Sequence, residues 1–207
     1  MVIWADGPWK LLSVPDTDPD SHPGHELTHS MVGVHNAFIR AINSAYLQAP
    51  YVKSGTDLHD LAAYVGIWIY TLHKHHRAEE TVAFPGMMRV SNGELGKETA
   101  QNLEQHEMLD RKLHELESWC KEDPEKEGWV DELRKRIELA MDVIHVHLTE
   151  EIPTLQALVK YDPKAVRRVI DEVKKEVKAE SDYRSGNLLQ FSRPEQGGFE
   201  PFRACNS

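Results

Sequence analysis

The spacing of apolar residues along the chain predicts helices. Apolar positions recur three and four residues apart, which is the period of a helix that buries one face. This period dominates four long segments, at about residues 25–48, 57–83, 95–122 and 126–160. No stretch shows the alternation that is typical of a strand, and no repeat of solenoid length occurs. Four long amphipathic segments with short connections predict an all-α fold, an antiparallel up-down four-helix bundle.

Prolines set the expected limits of these segments. The first segment ends at Pro50, the second stops at the stretch FPG (84–86), and the third stops before Pro124. Pro153 lies near the end of the fourth segment. We expect a kink or a break there, because proline lacks the backbone N–H that an α-helix uses.

The regions outside the four segments divide the chain into three parts. Residues 1–24 are rich in Pro, Asp and Gly and predict an extended N-terminal segment, and residues 25–160 form the bundle. Within residues 161–207, the stretch PKAVRRVIDEVKKEVKAE predicts a peripheral C-terminal helix. The remainder, from Ser181, has no clear period and predicts an extended tail. A chain of 207 residues suits one domain with an ordinary core.

Ionisable side chains interrupt the apolar stripe of the second segment. His75 and Glu79 fall on the stripe, whereas His73 falls off it and His76 and Glu80 lie one step round the helix. The complete stripe is Leu61, Val65, Trp68, Leu72, His75, Glu79 and Val82. Because five apolar residues fix its phase, we expect this histidine and this glutamate to point into the core.

The other three segments show a similar arrangement. The fourth segment places His147 and Glu151 on its stripe, and the third places His106 and Asp110. The first segment adds His35. Two residues four positions apart lie on one helix face, close enough to bind one ion or two adjacent ions.

Each of these residues has an ordinary explanation when it is taken alone. A single buried histidine such as His35 is more often a hydrogen-bonded core residue than a ligand, and His75 and Glu79 could form a hydrogen-bonded pair. Together, however, seven ionisable groups in one core would carry a large desolvation cost without a counter-charge. A pair of divalent cations supplies that charge. The predicted metal ligands are His35, His75, Glu79, His106, Asp110, His147 and Glu151.

Composition agrees with a metal site and argues against other classes. The chain has twelve histidines, well above ordinary usage, and a formal net charge of −10, which argues against binding to nucleic acid or an anionic membrane. Its two cysteines cannot form a cysteine zinc site. Neither a signal peptide nor a membrane span is indicated, so we expect a cytoplasmic protein.

The order of these motifs resembles the hemerythrin-like, or HHE cation-binding, family. The motifs are HNAFIR, HHRAEETVAFP, EQHEMLD and HVHLTEEIP, and they span about residues 25–160. The stretches HNAFIRAINSAYLQAP and EEIPTLQAL look particularly like those of fungal members. The resemblance implies a non-haem di-iron centre inside the bundle. Its terminal ligands would be His35, His75, His106 and His147, and its bridges would be Glu79 and Glu151.

One position departs from the family pattern. Oxygen-carrying hemerythrins have a second histidine four residues after the first on the third helix, and here that position is Asp110. A third carboxylate would stabilise ferric iron relative to ferrous iron. The related ferritin-like bundles are a poorer match, since only Glu26 and His29 have their Glu-x-x-His spacing.

The resemblance implies a protein that binds two iron ions and binds or reacts with dioxygen or a related small oxidant. One alternative is a di-iron oxidase or oxygenase that acts on a small organic substrate, which Asp110 and the long tail favour. Another is an iron store or a sensor of redox or nitrosative stress. Ligand types alone do not distinguish iron from manganese or zinc. The sequence does not indicate the substrate or the oligomeric state.

Overall fold

Six α-helices make up the fold in the computed structural model, which describes the backbone of residues 5–191 and the side chains of residues 5–179. All regular elements within these residues are helical, so the predicted all-α bundle is confirmed. Of the four long bundle helices, α1 and α4 each pack against both α2 and α5. In chain order the helices are α1 (Pro23–Gln48), α2 (Gly55–Ala78), α3 (Phe84–Val90), α4 (Gly96–Cys120), α5 (Trp129–Gln156) and α6 (Pro163–Phe191).

Two apolar clusters fill the core, and the ionisable residues lie between them. The larger cluster joins the four long helices, and the smaller one joins α1, α3 and the end of α5 to α6. Along α1, Val32 belongs to the smaller cluster and Phe38 to the larger one, with His35 between them. Along α5, Leu148 belongs to the larger cluster and Ile152 to the smaller one, so the boundary between the clusters lies at this level of the bundle. The apolar side chains above and below therefore separate this level of the bundle from water.

The described part of the N-terminal segment lies against α1 through two buried asparagines. Asn36 donates to the carbonyl of Leu12 and accepts from its N–H, at 3.0 Å and 2.7 Å. Asn43 makes the equivalent pair of bonds with Trp9, at 2.8 Å and 3.1 Å. A side-chain amide can donate and accept at once, so each asparagine satisfies both backbone groups of an irregular segment.

The second predicted segment does not end at Pro85, so this expectation is wrong. α2 continues into a π-helical turn, Glu79–Ala83, and then into α3. In that turn the N–H of Phe84 donates to the carbonyl of Glu79, five residues earlier. The wider turn leaves room for the Pro85 ring, which in a regular α-helix would clash with the carbonyl four residues before it. Pro85 also stands in the first turn of α3, where its missing N–H costs little.

The fourth predicted segment is not broken at Pro153. α5 includes this proline and runs on to Gln156. The chain then tightens into a 3-10 turn, Ala157–Lys160, before α6 begins. The expected break at Pro153 is therefore absent, and the helix changes type only after Gln156.

The predicted fifth helix is α6, and it covers the π-helical turn. Among its described side chains, Val166, Val169 and Ile170 are buried and pack against α1 and α3. On α1, Glu26 accepts from Arg167 at 2.6 Å and from Lys174 at 3.0 Å. The helix is thus held against the bundle beside the segment that carries Glu79.

The helix α6 extends beyond the point at which we predicted the tail to begin. It continues past Ser181 to Phe191. The rest of the predicted tail, residues 192–207, lies outside the described residues. None of the helices in the described part of the chain combines the length and the apolar character needed to cross a bilayer.

Candidate metal centre

Ionisable side chains from α1, α2, α4, α5 and the π-helical turn meet in two adjoining groups. In each group, one nitrogen or oxygen atom from every residue lies within 4.8 Å of the others. Glu79 belongs to both groups, so the two groups adjoin at its carboxylate. The first group is His76, Glu79, His106 and His147, and the second is His35, His75, Glu79 and Glu151.

Two histidines of the first group point unprotonated nitrogens at each other. The Nδ1 atom of His106 lies 2.8 Å from the Glu80 carboxylate, and that of His147 lies 3.1 Å from the Gln105 side-chain oxygen. Because these partners only accept, both Nδ1 atoms carry the hydrogen. The neutral rings then have lone pairs on their Nε2 atoms, which are 3.1 Å apart. Two facing lone pairs repel each other unless a cation lies between or beside them.

The second group has a similar histidine contact. His35 donates its Nδ1–H to the carbonyl of Leu148 at 2.8 Å, which leaves its Nε2 lone pair inside the bundle. That nitrogen lies 3.2 Å from Nε2 of His75 and 3.3 Å from the carboxylate of Glu151. Nε2 of His75 in turn lies 3.0 Å from the carboxylate of Glu79. Nitrogen and oxygen ligand atoms therefore converge here as well.

Several of these buried atoms have no hydrogen-bond partner among the described residues. They are both carboxylate oxygens of Glu79 and of Glu151, which the nearby histidine nitrogens approach without hydrogen-bond geometry, and both ring nitrogens of His76. These side chains are at most 3% exposed. A buried carboxylate without a donor is costly. A cation would satisfy the carboxylate oxygens and the one nitrogen of His76 that carries a lone pair, so the residues present fit a metal site.

Burial decides the protonation state of these groups in the metal-free protein. It lowers the pKa of His147 to about 2 and holds the pKa values of His75 and His76 well below their usual range. Burial, and then the neighbouring Glu151 carboxylate, raise the pKa of Glu79 well above its usual value. The imidazoles of His75, His76 and His147 are therefore neutral, which is the form that binds metals.

Comparison with known proteins agrees with this geometry. Residues 26–159 match the hemerythrin HHE cation-binding domain. The chain belongs to the hemerythrin HHE cation-binding family. The family resemblance inferred from the motifs is therefore confirmed, and the two groups could hold the cations that the family binds.

A fungal relative shares much of this hemerythrin-like sequence. The chain is 33% identical over 170 residues to the dimeric xanthone biosynthesis cluster protein R11 of Cryptosporiopsis sp. (strain 8999). The match covers 80% of this chain but only 64% of that protein, so the chain spans less than two thirds of its relative. No solved structure matches the chain.

Six of the seven predicted ligands lie in the two groups of this hemerythrin-like bundle, but Asp110 does not. Asp110 is exposed, and its carboxylate lies 3.1 Å from Nδ1 of His73 at the surface. A helix that buries residue 106 can bury either residue 109 or residue 110 next, because its period lies between three and four residues. Here Leu109 is the fully buried one, so Asp110 faces solvent. The expectation that Asp110 points into the core is wrong.

The residue that the sequence pattern did not identify is His76. It is 3% exposed, and it belongs to the first group in place of the expected aspartate. The predicted stripe of α2 passes through Trp68, but Ile69 is also buried, and a stripe from Ile69 through Leu72 leads to His76 and Glu79. Both adjacent histidines of α2 therefore reach the centre.

The π-helical turn brings both of its glutamates to the centre. The Glu79 carboxylate lies 3.7 Å from Nε2 of His106, and the Glu80 carboxylate lies 2.8 Å from Nδ1 of the same ring. Glu79 is buried and Glu80 is 40% exposed. Extra residues of this kind in a helix are frequent at functional sites, since they turn side chains that a regular helix would direct elsewhere.

Proposed function

We propose that the two groups hold a pair of iron ions, and that the protein binds or reduces dioxygen or a related small oxidant there. The observation that supports this proposal is the position of Glu79, whose buried carboxylate belongs to both groups and has no hydrogen-bond partner among the described residues. Iron bound there would supply the electrons that such an oxidant accepts. Imidazole and carboxylate also suit manganese and zinc, so the experiment below includes these ions.

The charge of the ligand set favours oxygen binding over oxidase chemistry. The two groups contain five histidines, neutral as metal ligands, and only two carboxylates, Glu79 and Glu151. A third carboxylate from Asp110 was our reason to favour the ferric state, and that residue lies at the surface. The centre therefore carries one negative charge fewer than expected, which stabilises ferrous iron relative to ferric iron.

The surroundings of the centre suit a small molecule. The rings of Phe38 and Phe84 lie beside His75 and His106, with centroids 5.3 Å and 5.7 Å apart respectively. The side chain of His75 is 14% exposed, whereas the other histidines of the centre are at most 3% exposed. His75 is thus the most exposed of the five histidines, and a small molecule that approaches the centre from solvent would meet it first.

A second candidate is the oxidation of a small organic substrate. It is supported by the name of the fungal relative, which assigns that protein to a biosynthesis cluster. A cavity of about 680 Å³ between α2 and α4 has the size of a ligand pocket. Its lining includes Gly66, Ile67 and Cys120 but no residue of the two groups, so a substrate in this cavity would not touch the centre. For this reason we rank oxygen binding first.

Anaerobic reconstitution followed by exposure to air tests both candidates. We expect about two ferrous ions per chain, as in other dinuclear sites. We also expect a visible absorbance change in air that reverses under argon. An irreversible change would favour oxidase chemistry or iron storage, and no more than one ion per chain would overturn the proposed pair of ions. Parallel loading with manganese and zinc shows whether iron is preferred, and Glu107→Gln, a change at an exposed glutamate beside His106, serves as the control.

A further inference from the structure

Two pairs of glutamates that are adjacent in the sequence lie at the centre, and each pair has one buried and one exposed side chain. In each pair one carboxylate is buried in the centre, Glu79 in one and Glu151 in the other. The second glutamate of each pair, Glu80 or Glu150, is exposed. Each exposed glutamate is nevertheless linked by hydrogen bonds to the Nδ1 side of one of the two histidines whose Nε2 atoms face each other.

The first connection is direct. The Glu80 carboxylate lies 2.8 Å from Nδ1 of His106, which is 1% exposed. A histidine that donates to a carboxylate is held as one tautomer, and its other nitrogen becomes a stronger ligand because negative charge is shared into the ring. Although Glu80 reaches solvent, the bond itself ends on a buried ring, so it differs from an ordinary surface ion pair.

The second connection passes through Gln105. The side-chain N–H of Gln105 donates to the Glu150 carboxylate at 2.6 Å, and its side-chain oxygen lies 3.1 Å from Nδ1 of His147. The carboxylate can only accept, so it fixes which end of the amide faces the histidine. His147 must therefore donate from Nδ1, which directs its Nε2 lone pair into the first group.

The second group has no comparable support at His35. The Nδ1–H of His35 donates to the neutral backbone carbonyl of Leu148. We propose that Glu80, directly, and Glu150, through Gln105, are positioning residues that hold His106 and His147 as Nδ1–H tautomers and raise the metal affinity of the first group. This inference rests on the proposed function only in that the first group holds a metal ion.

The tautomers can be measured in the metal-free protein, so this part of the test does not depend on the iron chemistry. Long-range ¹H–¹⁵N NMR spectra of histidine-labelled protein should show His106 and His147 protonated at Nδ1. In Glu80→Ala the spectrum should show His106 partly or fully as the Nε2–H tautomer. In Gln105→Ala the spectrum should show the same change for His147. Glu107→Gln should change neither.

Metal affinity supplies the second readout. In competition with a chelator, Glu80→Ala should weaken the binding of Co²⁺ by about 10- to 100-fold, the usual cost of losing such a partner. Glu80→Gln should weaken it less, because an amide oxygen still accepts the hydrogen bond but lacks the charge. Glu107→Gln should bind Co²⁺ as the unmodified protein does. Since Glu80 is 40% exposed, its replacement leaves the apolar core intact.

An unchanged His106 tautomer in Glu80→Ala would overturn the inference, and so would an affinity within about twofold of the unmodified protein, well short of the usual loss. If the tautomers and affinities behave as expected but air produces no absorbance change, the proposed reaction with an oxidant fails and the positioning role stands.

Discussion

The imidazole ring of His76 on α2 stacks on that of His106 on α4, with centroids 4.1 Å apart and an angle of 23° between the planes. Both rings are buried, and both belong to the group that also contains His147 and Glu79. One side of the centre is therefore formed by three histidines from three helices. His76, the second histidine of α2, thus lies in a group that could hold a metal ion.

Replacing His76 should remove one of the two ions. We expect His76→Ala to bind about one ion per chain instead of about two, since its group loses one of four ligands. Metal analysis after anaerobic reconstitution measures this directly. His73→Ala is the matched control, because His73 lies on the same helix at the surface. Equal metal contents in the two variants would show that His76 is not a ligand.

Asp110 should have no influence on the centre. Its side chain is 56% exposed and pairs with His73, which is itself 38% exposed. We therefore expect Asp110→Asn to leave the metal content and the reduction potential unchanged. A shift of the reduction potential by more than about 59 mV, a tenfold change for a one-electron couple, would show that Asp110 acts on the metals.

The sequence predicted the bundle well because its apolar period is regular over long segments. The same regularity predicted inward positions for His35, His106 and His147, and each of them has a fully buried Leu or Ile one turn away. Asp110 was placed wrongly because steps of three and four both fit a helix, and only packing shows that Leu109 is the buried one. Local pattern alone cannot resolve that choice.

The π-helical turn could not be predicted from periodicity, because it is itself a change of period. Val82, which the predicted stripe made inward-facing, is only half-buried, whereas Ala83 and Phe84 are buried. The nearby Pro85 does signal that the regular helix cannot continue, and we took that signal as the end of the segment. A proline next to paired glutamates could equally have indicated a local change of helix type.

The metal-free protein should lose stability as the pH falls. Burial lowers the pKa of His147 to about 2 and those of His75 and His76 well below 6.5. Below pH 6.5 the unfolded chain therefore takes up protons that the folded protein does not, so the free energy of unfolding falls with pH. Each histidine contributes up to about 1.4 kcal/mol per pH unit in this window.

The raised pKa of Glu79 acts in the opposite direction. The folded protein keeps the Glu79 proton at pH values at which the unfolded chain has released it. The contribution of Glu79 to the free energy of unfolding therefore falls as the pH rises above about 4.3. Three histidines outweigh one glutamate between about pH 6.5 and pH 5. Urea denaturation in the presence of a chelator measures the net effect. Constant or rising stability as the pH is lowered through this window would contradict the assigned protonation states.

Adding a single methyl group at the contact between α3 and α6 should destabilise the folded protein. A Cβ atom on Gly86 would lie 2.6 Å from Cγ1 of Val169, which is nearly fully buried. We expect Gly86→Ala to destabilise the protein by about 1–3 kcal/mol through overpacking. Gly66→Ala is the control: no atom lies within 4 Å of its Cβ position, so it should stabilise α2 by about 0.5–1 kcal/mol.

A double-variant cycle checks the cause of this destabilisation. If the clash is with Val169, the combination of Gly86→Ala with Val169→Ala should cost less than the sum of the two single changes. Additive free energies of unfolding would show that Gly86 is needed for another reason.

The central claim is that two metal positions adjoin at the shared carboxylate of Glu79. X-ray absorption at the iron edge of the reconstituted protein tests it most directly, because it detects a second iron near the first. We predict an iron–iron distance of about 3.5–4 Å, as in other two-metal sites, and its loss in Glu79→Gln but not in Glu107→Gln. A spectrum of the fully loaded protein with no iron–iron scattering would contradict the account.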